Sequence, residues 1–195
     1  MSEYHPLPAQ RLAGAIRVVR PIPPKFVTLM SPALDVMTDL RTVEAGTTEP
    51  NETMERANTH MMERGIRSLL VLNQDQILVG MITAADILGE KPLRFIQERH
   101  MKHNEILVAD IMTPLDHLEA IPIEQVQHGK VANVVASLRN AGRQHSLVIE
   151  SDHEGNLEVC GIFSLTQIEK QLGAAILPIE VARTFTEIEE ALITS

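Results

Sequence analysis

The chain has 195 residues, 44% of them hydrophobic, which is enough to bury the core of one or two domains. Aromatics make up 3% and Trp is absent, so that core must be built from Val, Ile, Leu, Met and Ala. A formal net charge of −9 argues against nucleic-acid binding, which rests on a basic surface.

One cysteine, Cys160, excludes an intrachain disulfide; it sits in the apolar run 159–161 and reads as an inert core residue. No run of 18 apolar residues and no signal-peptide pattern is present, so a soluble, cytoplasmic protein with no membrane partner is expected.

Residues 1–29 read as an N-terminal arm. Leu12, Ala15, Ile16 and Val19 have helical spacing, and Pro21, Pro23 and Pro24 then force an extended connector. The arm is either a loose tail or a segment that packs on a partner protomer.

A first unit spans residues 30–90. A short strand is expected over 42–45, a polar turn over 47–51 and a helix over 52–64. Met54, Ala57, Asn58, Met61 and Met62 mark the buried face of that helix, and Gly65 stops it. Strands are expected over 66–72 and 77–82, joined by a turn at 73–76. A helix then runs from Asp86 to Gly89.

Residues 91–107 form a linker helix with Pro92 in its first turn. Leu93, Ile96 and Met101 are expected to face inward. His100 and His103 share a face and read as solvated surface histidines, with too few neighbours for a metal site.

The second unit, 108–173, repeats the plan. It has a strand near 118–121, a helix over 130–140 with Val131, Val134, Val135 and Leu138 buried, strands at 146–150 and 157–163, and a helix over 165–172. A C-terminal tail, 174–195, carries a capping box at Thr186 and Glu189 and an apolar stripe of Val181, Phe185, Ile188 and Leu192.

The chemistry gathers where the strand ending at Ile82 meets the next helix, in Gly80-Met81-Ile82-Thr83-Ala84-Ala85-Asp86. Gly80 lets a ligand or another backbone come close. Thr83 offers a hydroxyl at a helix start, where anions are favoured. Asp86 can accept two hydrogen bonds at once, which suits a vicinal diol such as ribose. The same residues also fit a plain helix cap.

The junction recurs at Gly161-Ile162-Phe163-Ser164-Leu165-Thr166-Gln167. The Asp-Val-Met-Thr that closes on Thr38 recurs as Asp-Ile-Met-Thr closing on Thr113. Met37 answers Met112 at an offset of 75 residues, Gly65 answers Gly142 at 77 and Gly80 answers Gly161 at 81. The offset grows only in polar turns, so the chain is two copies of one supersecondary unit.

This ordered set, repeated over roughly residues 30–173, resembles the CBS domain, the regulatory module named after cystathionine β-synthase. The resemblance implies an α/β fold of two β-α-β-β-α repeats packed sheet to sheet with pseudo-twofold symmetry. It also implies an adenosine-containing ligand in the cleft between them, either an adenosine nucleotide (AMP, ADP or ATP) or S-adenosylmethionine. By the same resemblance Asp86 and Thr83 would hold ribose, Thr38, Ile66 and Arg67 would border the base, and His145 with Arg143 would meet phosphates. Thr113, Ser164 and Gln167 would line a second site, weaker because Gln167 replaces the carboxylate. Homodimers with four units in a flat disc are implied as well.

Three function classes follow: a ligand-sensing regulatory module, a structural dimerisation pair with no bound nucleotide, and an enzyme. Against the last, no nucleophile–base pattern, P-loop or metal cluster is visible. Any regulated protein is expected in trans. The first cleft is expected to bind tighter. If His145 meets phosphate, affinity is expected to weaken above about pH 6.5.

Overall fold

The computed structural model describes residues 26–100 and 102–173, together with 7–11, 14, 17 and 18. The helical spacing expected from Leu12 to Val19, the inward-facing Met101 and the tail from 174 onward lie outside the described residues.

A 3-10 turn at Ala33–Val36 leads into β1 (Thr38–Asp39). The first repeat continues through β2 (Thr47–Thr48), α1 (Met54–Arg64), β3 (Ser68–Leu72), β4 (Leu78–Thr83) and α2 (Ala84–Leu88). Then come α3 (Lys91–Arg99), α4 (Val108–Ile111) and β5 (Thr113–Pro114). The second repeat closes with β6 (Ala120–Pro122), α5 (Ile123–His128), α6 (Val131–Asn140), β7 (His145–Ser151), β8 (Leu157–Ser164) and α7 (Leu165–Leu172).

Local chemistry sets these boundaries. The Thr53 hydroxyl accepts the Arg56 N–H at 3.4 Å and caps α1. At the other end Gly65 adopts φ 64° and donates its N–H to the Met61 and Met62 carbonyls. Asn73 turns the β3–β4 hairpin by accepting the Asp75 and Ile77 N–H groups at 3.0 and 2.9 Å. No helix among the described residues is long and apolar enough to cross a membrane.

The strands form two four-stranded sheets, β2-β3-β4-β5 and β1-β8-β7-β6. Each contains one parallel pair, β2 with β3 and β6 with β7, and the other pairs are antiparallel. The opening strand of each repeat joins the sheet of the other. Thr38 pairs with Ile162 on β8, and Thr113 pairs with Met81 on β4.

The preceding residues cross over in the same way. Ala33 and Val131 bond to the backbone of Gly129 and Ser31, while Met54 and Val108 bond to Ile106 and Glu52. Ala33 and Val36 are therefore buried in the core of the second repeat, and Ile106, Val108 and Ile111 in that of the first.

Strand alternation sends neighbouring residues to opposite faces. Leu69, Val71 and Ile82 enter the core beneath the helices of the first repeat, while Leu70 and Met81 face the second sheet. On β7, Val148 goes to its own core and Leu147 meets Leu70 and Met81 in the apolar layer between the sheets.

Several expectations are corrected. Residues 42–45 are not a strand; the first two strands are Thr38–Asp39 and Thr47–Thr48, so the expected polar turn at 47–51 begins as a sheet edge paired parallel to Leu70 and Val71. Met62 is 66% exposed, because α1 buries only Met54, Ala57 and Met61. Leu93 is exposed, and Phe95 with Ile96 supplies the packed side of α3. His100 and His103 share no helix: α3 ends at Arg99 with His100 at φ 54°, and His103 starts a separate 3-10 turn.

Candidate ligand clefts

The β4–α2 junction is a complete capping box. The Thr83 hydroxyl accepts the Asp86 N–H at 3.2 Å, and Asp86 Oδ2 accepts the Thr83 N–H at 2.8 Å and its hydroxyl at 2.7 Å. Asp86 Oδ1 meets Lys91 Nζ at 2.6 Å, and Lys91 also donates to the Ile111 carbonyl at 3.0 Å.

A carboxylate offers about four lone-pair sites. Three are spent here, so Asp86 has room for one further hydroxyl. The two-handed diol grip expected for it requires Lys91 to move.

Asp86 and Thr83 line a cleft of about 260 Å³ with Thr113, Glu119, Arg143 and His145. Its cation is engaged: Arg143 Nη2 donates to the His117 carbonyl at 3.0 Å, and Nη1 lies 3.3 Å from Glu119 Oε2.

A second cleft, of about 320 Å³, is lined by Thr38, Ile66, Arg67, Ser164, Gln167 and Lys170, again with His145. It falls within the size range of small-molecule sites, and the first lies just below it. Ser164 caps α7 without a side-chain bond, so its hydroxyl is unspent. Gln167 and Lys170 stand three apart on α7 and share a face, with Ser164 three residues before Gln167 at the cap.

A larger open hollow of about 980 Å³ lies over α1. It is lined by the first repeat alone and crossed by the Thr48–Glu52–Arg56 contacts.

His145 joins the two clefts. It stands opposite Ser164 in the β7–β8 register, and its Nδ1 is buried without a hydrogen-bond partner. Burial, and then the nearby Arg67 guanidinium, push its pKa down to about 4, with Asp86 pulling the other way. At neutral pH it is an uncharged wall residue. The proposed charge-assisted phosphate contact that fades above pH 6.5 is not a property of this histidine in the free protein.

The strand exchange redistributes the expected site residues. Thr83, Asp86, Arg143 and His145 do come together, but the opening Thr that joins them is Thr113. Thr38, Ile66 and Arg67 lie in the other cleft with Ser164 and Gln167. Lys91 and Lys170 were missed. Lys170 had a readable signal, its three-residue spacing from Gln167. Lys91 had none, because its contact depends on where α3 turns back toward α4.

The first repeat and the overall fold both match known proteins. Residues 33–92 match the family described as CBS domain. The first repeat is a CBS domain.

Among solved structures, an uncharacterised conserved protein from Pyrococcus horikoshii is 24% identical over 74% of this chain and 93% of its own, with a TM-score of 0.53. The CBS-domain-containing protein ATU1752 from Agrobacterium tumefaciens is 14% identical over 73% of this chain and 94% of its own, also with a TM-score of 0.53. CBSX2 from Arabidopsis thaliana, solved in complex with AMP, is 19% identical over 72% of this chain and 94% of its own, with a TM-score of 0.50. At these identities the likeness carries the fold alone: a CBS pair. No curated protein matches.

Proposed function

We propose that this CBS pair is a ligand-sensing regulatory module that binds an adenosine nucleotide or adenosyl compound between its repeats. The observation that carries the reading is the make-up of the clefts. Each is lined by residues of both repeats, and His145 lines both. A ligand there touches both halves at once, so its binding energy differs between arrangements of the halves. Such differential binding is what shifts a conformational equilibrium. CBSX2, of the same fold, is solved with AMP.

The adenosyl ribose belongs beside Thr83 and Asp86, which keeps one acceptor site. The module is non-catalytic, works in the cytoplasm as a homodimer, and reports AMP, ADP, ATP or S-adenosylmethionine levels to a separate regulated protein. Light scattering that returns a monomer mass at micromolar protein contradicts the dimer.

One observation favours the competing reading of a structural pair with unused clefts: the 2.6 Å Lys91–Asp86 ion pair already satisfies much of the junction. Calorimetry with adenosine separates the two. The sensing reading expects saturable binding that Asp86→Ala weakens about tenfold, roughly the loss of one hydrogen bond to a charged group. Absence of heat at millimolar adenosine supports the structural pair.

A further inference from the structure

The two repeats follow one plan, so a surface on one has a counterpart on the other. On the second repeat, the segment entering the 3-10 turn at Ala33–Val36 holds a row of large apolar side chains in water. Phe26 is 89% and Met30 71% exposed, and Leu29 and Leu34 are exposed as well. At the offset of 75 residues that relates Met37 to Met112, Leu29, Met30 and Leu34 answer Asn104, Glu105 and Ala109. Those three are also exposed, but they are polar or small and need no cover.

The backbone under the row is pinned. The Val131 and Ala132 N–H groups at the start of α6 donate to the Ser31 and Leu29 carbonyls at 2.9 Å, and Ala33 donates to the Gly129 carbonyl at 3.0 Å. Val27 already packs on the core of the second repeat. The row therefore cannot turn inward, and an exposed apolar surface of this kind marks the seat of another element.

The first repeat shows where such an element comes from. Its closing helix, α2, stops at Gly89, and the chain turns at once into α3, with Pro92 in the first turn. There α3 packs on α2 and on α4, the counterpart of the Ala33–Val36 turn, and Phe95 and Ile96 meet the core.

The second repeat closes on α7, which packs on the Ala33–Val36 turn and stops at Gly173. Leu172, its last residue, packs on the core cluster that holds Ala33 and Val36. The sequence then runs to Pro178, and aligning Pro178 on Pro92 sets Val181 on Phe95. The stripe of Val181, Phe185, Ile188 and Leu192 continues about two turns past the position where α3 ends. The path from Gly173 to Pro178 spans at most about 18 Å, and a helix over 178–192 is about 22 Å long, which keeps the stripe close to α7 and its neighbours.

We infer that residues 178–192 of this same chain form a helix that docks on the Phe26–Leu34 row, much as α3 docks on α4. The apolar stripe covers the row, and the helix straps the exchanged opening segment to the second repeat. The extra length of the stripe relative to α3 matches the difference between the two surfaces: the first repeat has no apolar row to cover.

The test is NMR on the full chain, isotope-labelled at Ile, Leu and Val methyl groups, with a nitroxide on Thr28→Cys. Thr28 is exposed beside the row, and the native Cys160 is buried, so the introduced thiol is the one that reacts. The Val181, Ile188 and Leu192 methyl signals should lose more than half of their intensity. A nitroxide on His103→Cys, the counterpart position, should leave them intact. Adding Ile188→Asp to the Thr28→Cys chain should restore the Val181 and Leu192 signals. The loss should persist when the labelled chain is equilibrated with excess unlabelled wild type, which removes contacts between copies.

Tail signals of full intensity overturn the inference. So does broadening confined to Leu12, Ile16 and Val19, which puts the N-terminal arm on the row instead. A loss that vanishes on dilution overturns it as well, since the tail then sits on a second copy.

Discussion

A Cβ placed on Gly80 would stand 2.8 Å from the Met112 sulfur and 2.7 Å from the Thr113 carbonyl oxygen. Gly161 stands to Met37 in the same way, with the sulfur at 2.6 Å and Cγ at 2.9 Å. The glycine of each strand-to-helix junction thus makes room for the methionine of the other repeat's opening segment. Glycine and methionine are two halves of one device, which seats the exchanged strands.

The device makes Gly80→Ala destabilising by about 2 kcal/mol, within the range for overpacking, since the obstacle includes backbone. Gly161→Ala should cost less, because a methionine side chain bends more readily than a carbonyl moves. Met37→Ala should recover part of the Gly161→Ala loss. Urea denaturation of the three variants checks the order, and equal losses at both glycines contradict it.

His145 sets a pH limit on stability. Its pKa is about 4 folded, against about 6.5 unfolded, so the fold favours the neutral ring. Its contribution is fully present above about pH 6.5 and is lost as pH falls toward 4, because the unfolded chain takes up the proton first. The loss is on the order of 3 kcal/mol. His145→Gln should flatten that part of the profile. Urea midpoints measured from pH 7 to 4.5 on both proteins test it, and parallel profiles contradict it. Between pH 6 and 8 the two proteins should show the same pH trend in ligand affinity.

Asp86 ties three elements together: it caps α2 through Thr83, and it holds Lys91 of α3, which reaches the Ile111 carbonyl of α4. Asp86→Ala should therefore cost about 1–2 kcal/mol of stability, more than Thr83→Ala, which removes the cap hydroxyl alone. Lys91→Met should cost under about 1 kcal/mol, since Lys91 is half exposed, and should raise adenosine affinity by freeing an oxygen of Asp86. Denaturation and calorimetry on the same three proteins decide this, and unchanged adenosine binding in Lys91→Met contradicts it.

The repeat, the four long strands and the main helices were legible because each has its own signature: apolar runs bounded by turns, or a Gly stop after a 3.6-residue stripe. The exchange of Thr38–Asp39 and Thr113–Pro114 was not. A two-residue strand has no periodicity, and its partner is chosen by how Met37 and Met112 pack. That choice decided which cleft Thr38 and Thr113 join, so the residues named from the sequence divide between the two clefts differently than expected. The Thr83–Asp86 motif was readable as a cap and as a ribose grip together. Only the position of Lys91 shows that the cap and an ion pair already hold most of the carboxylate.

The most direct test of ligand sensing is a thermal-shift panel of adenosine, AMP, ADP, ATP and S-adenosylmethionine, run on protein shown by native mass spectrometry to carry no co-purified ligand. A ligand at ~100 times its Kd should stabilise the fold by ~2.7 kcal/mol. At least one of the five should raise Tm in proportion to the logarithm of its concentration. A flat response to all five contradicts the account.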